Sequence, residues 1–341
     1  MTDPEQKRPF RQPRNAAGRF LNLDGSGPAS LGRVLRWAAL DRLAGRRRVS
    51  PRRAAVPRRE PDRAGLLVPP PRGAAARVLW LGHASFLVEI DGVSLLIDPA
   101  LRETIAGGRI RRNVAPGLLI RDLPRIDATL LSHAHYDHLD VPTLEEIRGP
   151  MVTGLGVKRY LRNAGQTVRE LGWWESTLVG TVRVSFVPAQ HWSRRGLLDA
   201  NAALWGGFVI EGQSACLYHA GDTGLFDGFR EIGRRFPAIH LALLPIGAYD
   251  PPWFMEPQHM NPEQAVRAFL DLGARAMVGM HWGTFKLTDE PLDEPPSRLA
   301  AERERLGLAA ERVRVLAVGE AVEAGGAFAS WDRLAAAPEG S

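Results

Sequence analysis

Six residues, His133-Ala134-His135-Tyr136-Asp137-His138, constrain this chain more than anything else in it. They directly follow the apolar run Ala128-Thr129-Leu130-Leu131-Ser132 and precede a helical-looking stretch from Pro142 to Arg148. Four metal-ligating side chains in six positions are too dense for a core strand or a solvated face. Buried without partners, each would cost on the order of 2–7 kcal/mol, a penalty that a bound metal removes. The chain must therefore fold so that a strand delivers this loop into a metal centre.

One such loop cannot complete two metal shells, so further ligands come from elsewhere. His191 follows the apolar run Val182 to Val187, Asp222 follows Cys216-Leu217-Tyr218, and His281 follows Ala276 to Met280. Each lies just past the carboxyl end of a predicted strand, where open α/β sheets place their sites. Gly221, Gly224 and Gly283 beside two of them allow close backbone approach. Regular patterning starts near Arg77. Val78 to Leu81 and Ser85 to Ile90 read as strands, Asp91-Gly92 as a hairpin turn, and Val93 to Ile97 as the return strand. Pro262 to Leu272 reads as a helix capped by Asn261 and stopped by Gly273. Strands mixed with helices throughout give an α/β protein.

These residues also carry a resemblance. The histidine motif resembles the metallo-β-lactamase superfamily signature. Trp80-Leu81-Gly82-His83-Ala84, Leu131-Ser132-His133, Trp173-Trp174-Glu175, Gln190-His191-Trp192, Ala220-Gly221-Asp222-Thr223-Gly224, Pro245-Ile246-Gly247-Ala248-Tyr249 and His281-Trp282-Gly283-Thr284-Phe285 resemble the N-acylphosphatidylethanolamine-hydrolysing phospholipase D family over roughly residues 77–325. The resemblance implies an αββα sandwich. It assigns His133, His135 and His191 to one metal ion and Asp137, His138 and His281 to a second, with Asp222 bridging. Histidine with carboxylate suits two Zn²⁺, and iron or manganese also accept such ligands. Two cations roughly 3.5–4 Å apart hold a hydroxide near neutral pH and clamp a displacement at phosphorus. Asp137 would also orient that hydroxide, and His259 would position the phosphate or protonate the leaving alkoxide. Asp98 is a candidate acceptor for a ligand imidazole, whereas His83 reads as a satisfied strand histidine, with a place behind the ligands as the alternative, and His219 and His240 as structural. Trp173, Trp174, Trp192, Trp253, Phe254, Met255 and Trp282 are candidates for an apolar groove.

The implied activity is a phospholipase D-type phosphodiesterase that releases phosphatidic acid from N-acylphosphatidylethanolamine-like lipids. A hydrolase of a soluble lactone or sugar-phosphate ester is the alternative, and a nuclease the more distant one. Charge bears on the partners. Residues 1–80 hold 18 Lys/Arg against 6 Asp/Glu, while the remainder holds 26 against 32. A basic, Pro/Arg-rich arm (1–75) thus precedes an acidic catalytic domain (76–325) and a tail (326–341). Residues 1–29 read as disordered, Ser30 to Arg42 as a short helix with Leu31, Val34, Leu35 and Ala38 on its apolar face, and 46–73 as an extended linker. The arm is a candidate for peripheral contact with an anionic membrane, or else a solvated tail. The acidic body argues against nucleic acid. The polar start and the single cysteine, Cys216, point to the cytoplasm. The oligomeric state is left open, a homodimer included.

Overall fold

A computed structural model describes residues 11–45, 47–161, 167–196 and 198–325. The polar start 1–10 and the C-terminal tail 326–341 lie outside the described residues.

Strands begin where Arg/Pro-rich sequence gives way to apolar alternation. Ala76–Gly82, Ser85–Ile90 and Val93–Ile97 form an antiparallel meander. Asp91 and Gly92 both take positive φ in its tight turn, as a two-residue hairpin requires. Ala128–Leu131, Met151–Gly154 and Val168–Leu171 extend this sheet in parallel, and Ala321–Ala324 closes its other edge. The second sheet runs Val313–Val315, Ala276–Met280, Leu241–Pro245, Cys216–His219, Gly207–Glu211, Val182–Val187, Ser176–Val179. A small ribbon pairs Thr104–Ile105 with Ile110–Arg111.

The period-two geometry of a strand sorts the side chains. Val78, Trp80, Phe86, Val88, Leu95 and Ile97 join Phe186, Phe208 and Tyr218 in the core between the sheets. Leu79, Leu81, Leu87 and Leu96 join Leu101, Leu118, Ile126 and Ile147 in a separate cluster. Leu131 and Met151 pack with Leu144 of the helix Val141–Glu146. Beyond the second sheet lie Gly228–Arg235, Pro262–Leu272 and Glu294–Arg305, the second packed on both others and the last two also on its strands. The layers are helix, sheet, sheet, helix. Pro262–Leu272 starts with a capping box between Asn261 and Gln264 and ends at a left-handed Gly273.

The arm departs from the expectation of disorder. Phe20 is only 1% exposed, and its backbone pairs with Asn201 through both the amide and the carbonyl. Residues Leu31–Leu43 form one helical segment with a π-type middle turn, capped by the Ser30 side chain. Trp37 stacks on Phe254 with ring centroids 5.0 Å apart, which leaves Val34 and Leu35 facing solvent. The Arg/Pro-rich stretch docks too: Arg47 pairs with Asp289, Arg48 with Glu294, and Arg59 donates its amide to Val318. Composition judges a segment by itself. Here acidic residues of the body pair with two of the arm's arginines, and the body holds two aromatic anchors, Phe20 and Trp37.

Candidate metal centre

All four ligand-bearing strand ends reach one edge of the sandwich. His133 Nε2 and His135 Nδ1 approach within 2.8 Å, and His191 Nε2 lies 3.2 Å from His135 Nδ1. Asp222 Oδ2 sits 3.9 Å from His133 Nε2 and 3.8 Å from His191 Nε2. On its other side Asp222 approaches His138 Nε2 at 3.2 Å and His281 Nε2 at 3.1 Å, and Asp137 Oδ2 is 3.4 Å from His281 Nε2. Asp222 thus faces both sides. Within 4.8 Å of one another lie the ligand atoms of His133, His135, His191 and Asp222, those of His83, Asp137, His138 and His281, and those of Asp222, His259 and His281.

The residues fit metal ions by a test independent of their names. His138 Nε2, His281 Nε2 and Asp222 Oδ1 are buried without a hydrogen-bond partner, despite their closeness. A buried unsatisfied polar atom costs about 1–3 kcal/mol. Three converging on one spot are the donor set of a divalent cation such as zinc.

Neighbouring groups aim these atoms. Asp98 Oδ2 accepts from His138 Nδ1 at 2.8 Å and from Ser132 Oγ at 2.6 Å, and Asp98 Oδ1 accepts from the Ser132 amide at 2.7 Å. His191 Nδ1 donates to the Gln258 carbonyl at 2.9 Å. In both imidazoles Nε2 is left free for the pocket. His83 takes the alternative of its two readings, behind the ligands: its Nε2 meets Asp137 Oδ2 at 2.9 Å. Its carbonyl accepts the His281 amide at 3.0 Å, and both residues hold positive φ. Such strain in a non-glycine residue tends to mark working sites. The available signal was the Gly82-His83-Ala84 break between two strands.

Electrostatics separate the pockets. Burial holds His133 and His191 well below the ordinary imidazole value and pushes His135 down to about 4. Burial also opposes charge on His138 and His281, but Asp222 and Asp137 outweigh it, raising His138 and carrying His281 to about 9. Asp137 and Asp222 are burdened by burial, yet the imidazoles hold both well below the usual carboxylate range.

His259 lies across both pockets, its ring 5.0 Å from His191 and 5.6 Å from His281. Its Nδ1 is enclosed without a partner, and burial pushes its pKa down to about 4. His135, Trp192 and His259 are partly exposed while the other members are buried, so they form the mouth. Trp192 packs edge-on to His135 at 4.6 Å. Other proposed groove residues lie elsewhere. Trp173 is fully buried and bonded to the Trp205 carbonyl, and Trp282 stacks on Trp80. Trp174 lies under Arg235, and Phe254 and Met255 are buried. His219 and His240 are tied into backbone hydrogen bonds.

Residues 94–282 match the model of the β-lactamase superfamily domain, a span that holds all seven candidate ligands but not His83. The chain belongs to the β-lactamase superfamily. It is 38% identical over 242 residues to an N-acyl-phosphatidylethanolamine-hydrolyzing phospholipase D of Caenorhabditis elegans, covering 64% of this chain and 67% of that one. It is 33% identical over 253 residues to a metal-dependent hydrolase of Methanopyrus kandleri, covering 72% and 99%. A metallo hydrolase from Ignicoccus hospitalis shares the fold, with a TM-score of 0.54 at 24% identity over 73% of this chain and 98% of that one. The protein is a metal-dependent hydrolase of the metallo-β-lactamase fold.

Proposed function

We propose that this hydrolase is a phosphodiesterase of phospholipase D type, acting on N-acylphosphatidylethanolamine-like lipids with two zinc ions in the paired pockets. The observation that carries the reading is the 38% identity to the nematode phospholipase over 242 residues. Bound in the pockets, the two cations supply Lewis acidity toward water and toward the phosphoryl oxygens.

The chain's own residues do the rest. Asp137, ionised and steadied by His83, is the acceptor that orients an attacking water. His259 is neutral near pH 7, because burial disfavours its charged form, so it does not arrive carrying the proton a general acid must give. Its role is to hydrogen-bond a phosphoryl oxygen at the mouth. The arm helix exposes Leu35, Leu40 and Leu43 beside Arg33, Arg36 and Arg42, and Arg33 also bonds the Trp253 carbonyl in the short helix Pro252–Met255 that precedes His259. An amphipathic, basic face next to the mouth suits an anionic lipid surface. Among the described residues no helix is long and apolar enough to cross a membrane.

The test is turnover of phospholipid vesicles beside soluble esters. Burying a methylene contributes about 0.8 kcal/mol. The kcat/KM for N-acylphosphatidylethanolamine should therefore exceed that of its short-chain analogue by at least roughly tenfold. Oxygen-18 from water should enter phosphatidic acid and not the alcohol. Rapid cleavage of a lactone, a sugar-phosphate ester or RNA without lipid turnover would discard the phospholipase reading.

A further inference from the structure

One contact ties a distant stretch of chain to a proposed ligand. His191 lies beyond the strand Val182–Val187, so no sheet neighbour takes its buried amide. That amide donates instead to Asn22 Oδ1, 169 residues earlier, at 3.1 Å. The same oxygen accepts from the Trp205 indole at 3.0 Å, and Asn22 Nδ2 donates to Ser26 Oγ at 3.1 Å, which fixes the end of the amide group that faces His191. Gln190 Nε2 adds a bond to Asp24 Oδ2 at 2.8 Å. Asn22 itself is 3% exposed.

We infer that Asn22 is a positioning residue of the metal centre: it fixes the His191 backbone while the Gln258 carbonyl fixes the His191 ring. The inference rests on reading His191 as a ligand. With its backbone held at one end and Nδ1 at the other, Nε2 has one direction left, toward His135 and Asp222. Turning the peptide away would strand a buried N–H, which folded proteins avoid. Part of what composition marks as an arm is thereby a support of the site.

The test uses the full-length protein and reads zinc affinity by chelator competition, alongside the melting temperature of the metal-free form. Asn22→Leu removes the acceptor and should weaken one of the two ions by roughly 10–100-fold, the usual cost of losing a group that orients a ligand. Asn22→Asp keeps an acceptor oxygen and should bind zinc nearly as the parent does. Asn15 serves as control, since its side chain only accepts the Ala17 and Arg19 amides within the same segment. Asn15→Ala should lower the melting temperature and leave zinc affinity intact. If Asn22→Leu does not fold, Asn22→Ser, with a side chain too short to span the same gap, takes its place. Parental affinity in the Asn22 variants lacking the acceptor overturns the inference, as does an equal loss in Asn15→Ala. His191→Ala reports separately: unchanged zinc content there refutes the ligand reading itself.

Discussion

The two pockets of the centre are built by opposite means. That of His133, His135 and His191 is nearly all imidazole, is open at His135, and is steadied from far along the chain by Asn22 and Gln258. That of Asp137, His138 and His281 is closed, and Asp98, Ser132 and His83 back it from the first sheet and its loops. In the open pocket burial, helped by repulsion from neighbouring imidazoles, strips protons and leaves lone pairs ready for a cation. In the closed pocket the carboxylates hold protons on His138 and His281, so a cation must displace them. One fold edge thus offers a site that takes its ion without proton release and a site that exchanges protons for it.

The strongest challenge to this division is Asp222, whose carboxylate faces both pockets. Asp222→Asn should lower metal content in both and reduce turnover by on the order of a thousandfold or more, the scale expected when several kcal/mol of charge stabilisation are lost. Elemental analysis beside kcat checks it. One pocket retaining its full ion content would show that the carboxylate serves only the other.

Proton exchange sharpens the comparison next. With His281 near 9 before metal binds, affinity in the closed pocket should weaken as pH falls from 9, by about tenfold per unit for each proton displaced. The open pocket should hold its affinity until pH approaches 4, where His135 would begin to charge. Zinc titrations at pH 8 and pH 6 should therefore diverge for one ion alone. A chelator should remove the ion of the open pocket first, in a separate phase, and added zinc should restore activity. Two ions weakening in parallel would erase the distinction.

Asp98→Asn should act chiefly on the closed pocket. It replaces a carboxylate that receives His138 Nδ1 and both Ser132 donors, and should cost roughly 10–100-fold in the affinity of that ion. The other pocket should lose less, because Asp98 reaches it only through Ser132 Oγ, which lies 3.0 Å from His133 Nδ1.

How far the sequence reveals this centre follows from distance along the chain. The His133–His138 loop is local, so its density alone announces a metal site. His191, Asp222 and His281 are legible because each follows an apolar strand. The sandwich itself is legible from strands such as Ala276–Met280 and from the Asn261–Gly273 helix signals. Asn22 is not, because its partners lie 169 and 183 residues away and polar arm composition gives no hint of them. The tryptophans mislead for the converse reason: Trp282 neighbours His281 in sequence yet packs into the core, as Trp173 does, since strand and loop geometry decides direction. His83 looked structural because nothing local shows that its loop crosses that of His281.

His259 gives the smallest effect and the finest probe, because it lies between the pockets and belongs to neither support system. Its ring faces His191 and His281 at similar distances, and its Nδ1 has no partner among the described residues. The ring is partly exposed at the mouth, where it has hydrogen-bonding capacity for whatever enters. His259→Ala should leave both ions bound with parental affinity, since neither ligand set loses an anchor. It should lower kcat/KM by about ten- to a hundredfold, matching roughly 1.4–2.8 kcal/mol for one hydrogen bond to a charged phosphoryl oxygen. His259→Gln, which retains a donor, should recover part of that loss. Because the imidazole is neutral from about pH 5 upward, the parent and His259→Gln should share the shape of their pH–rate profiles across that range. Loss of zinc from His259→Ala would instead make this residue a ligand and join the two pockets through it.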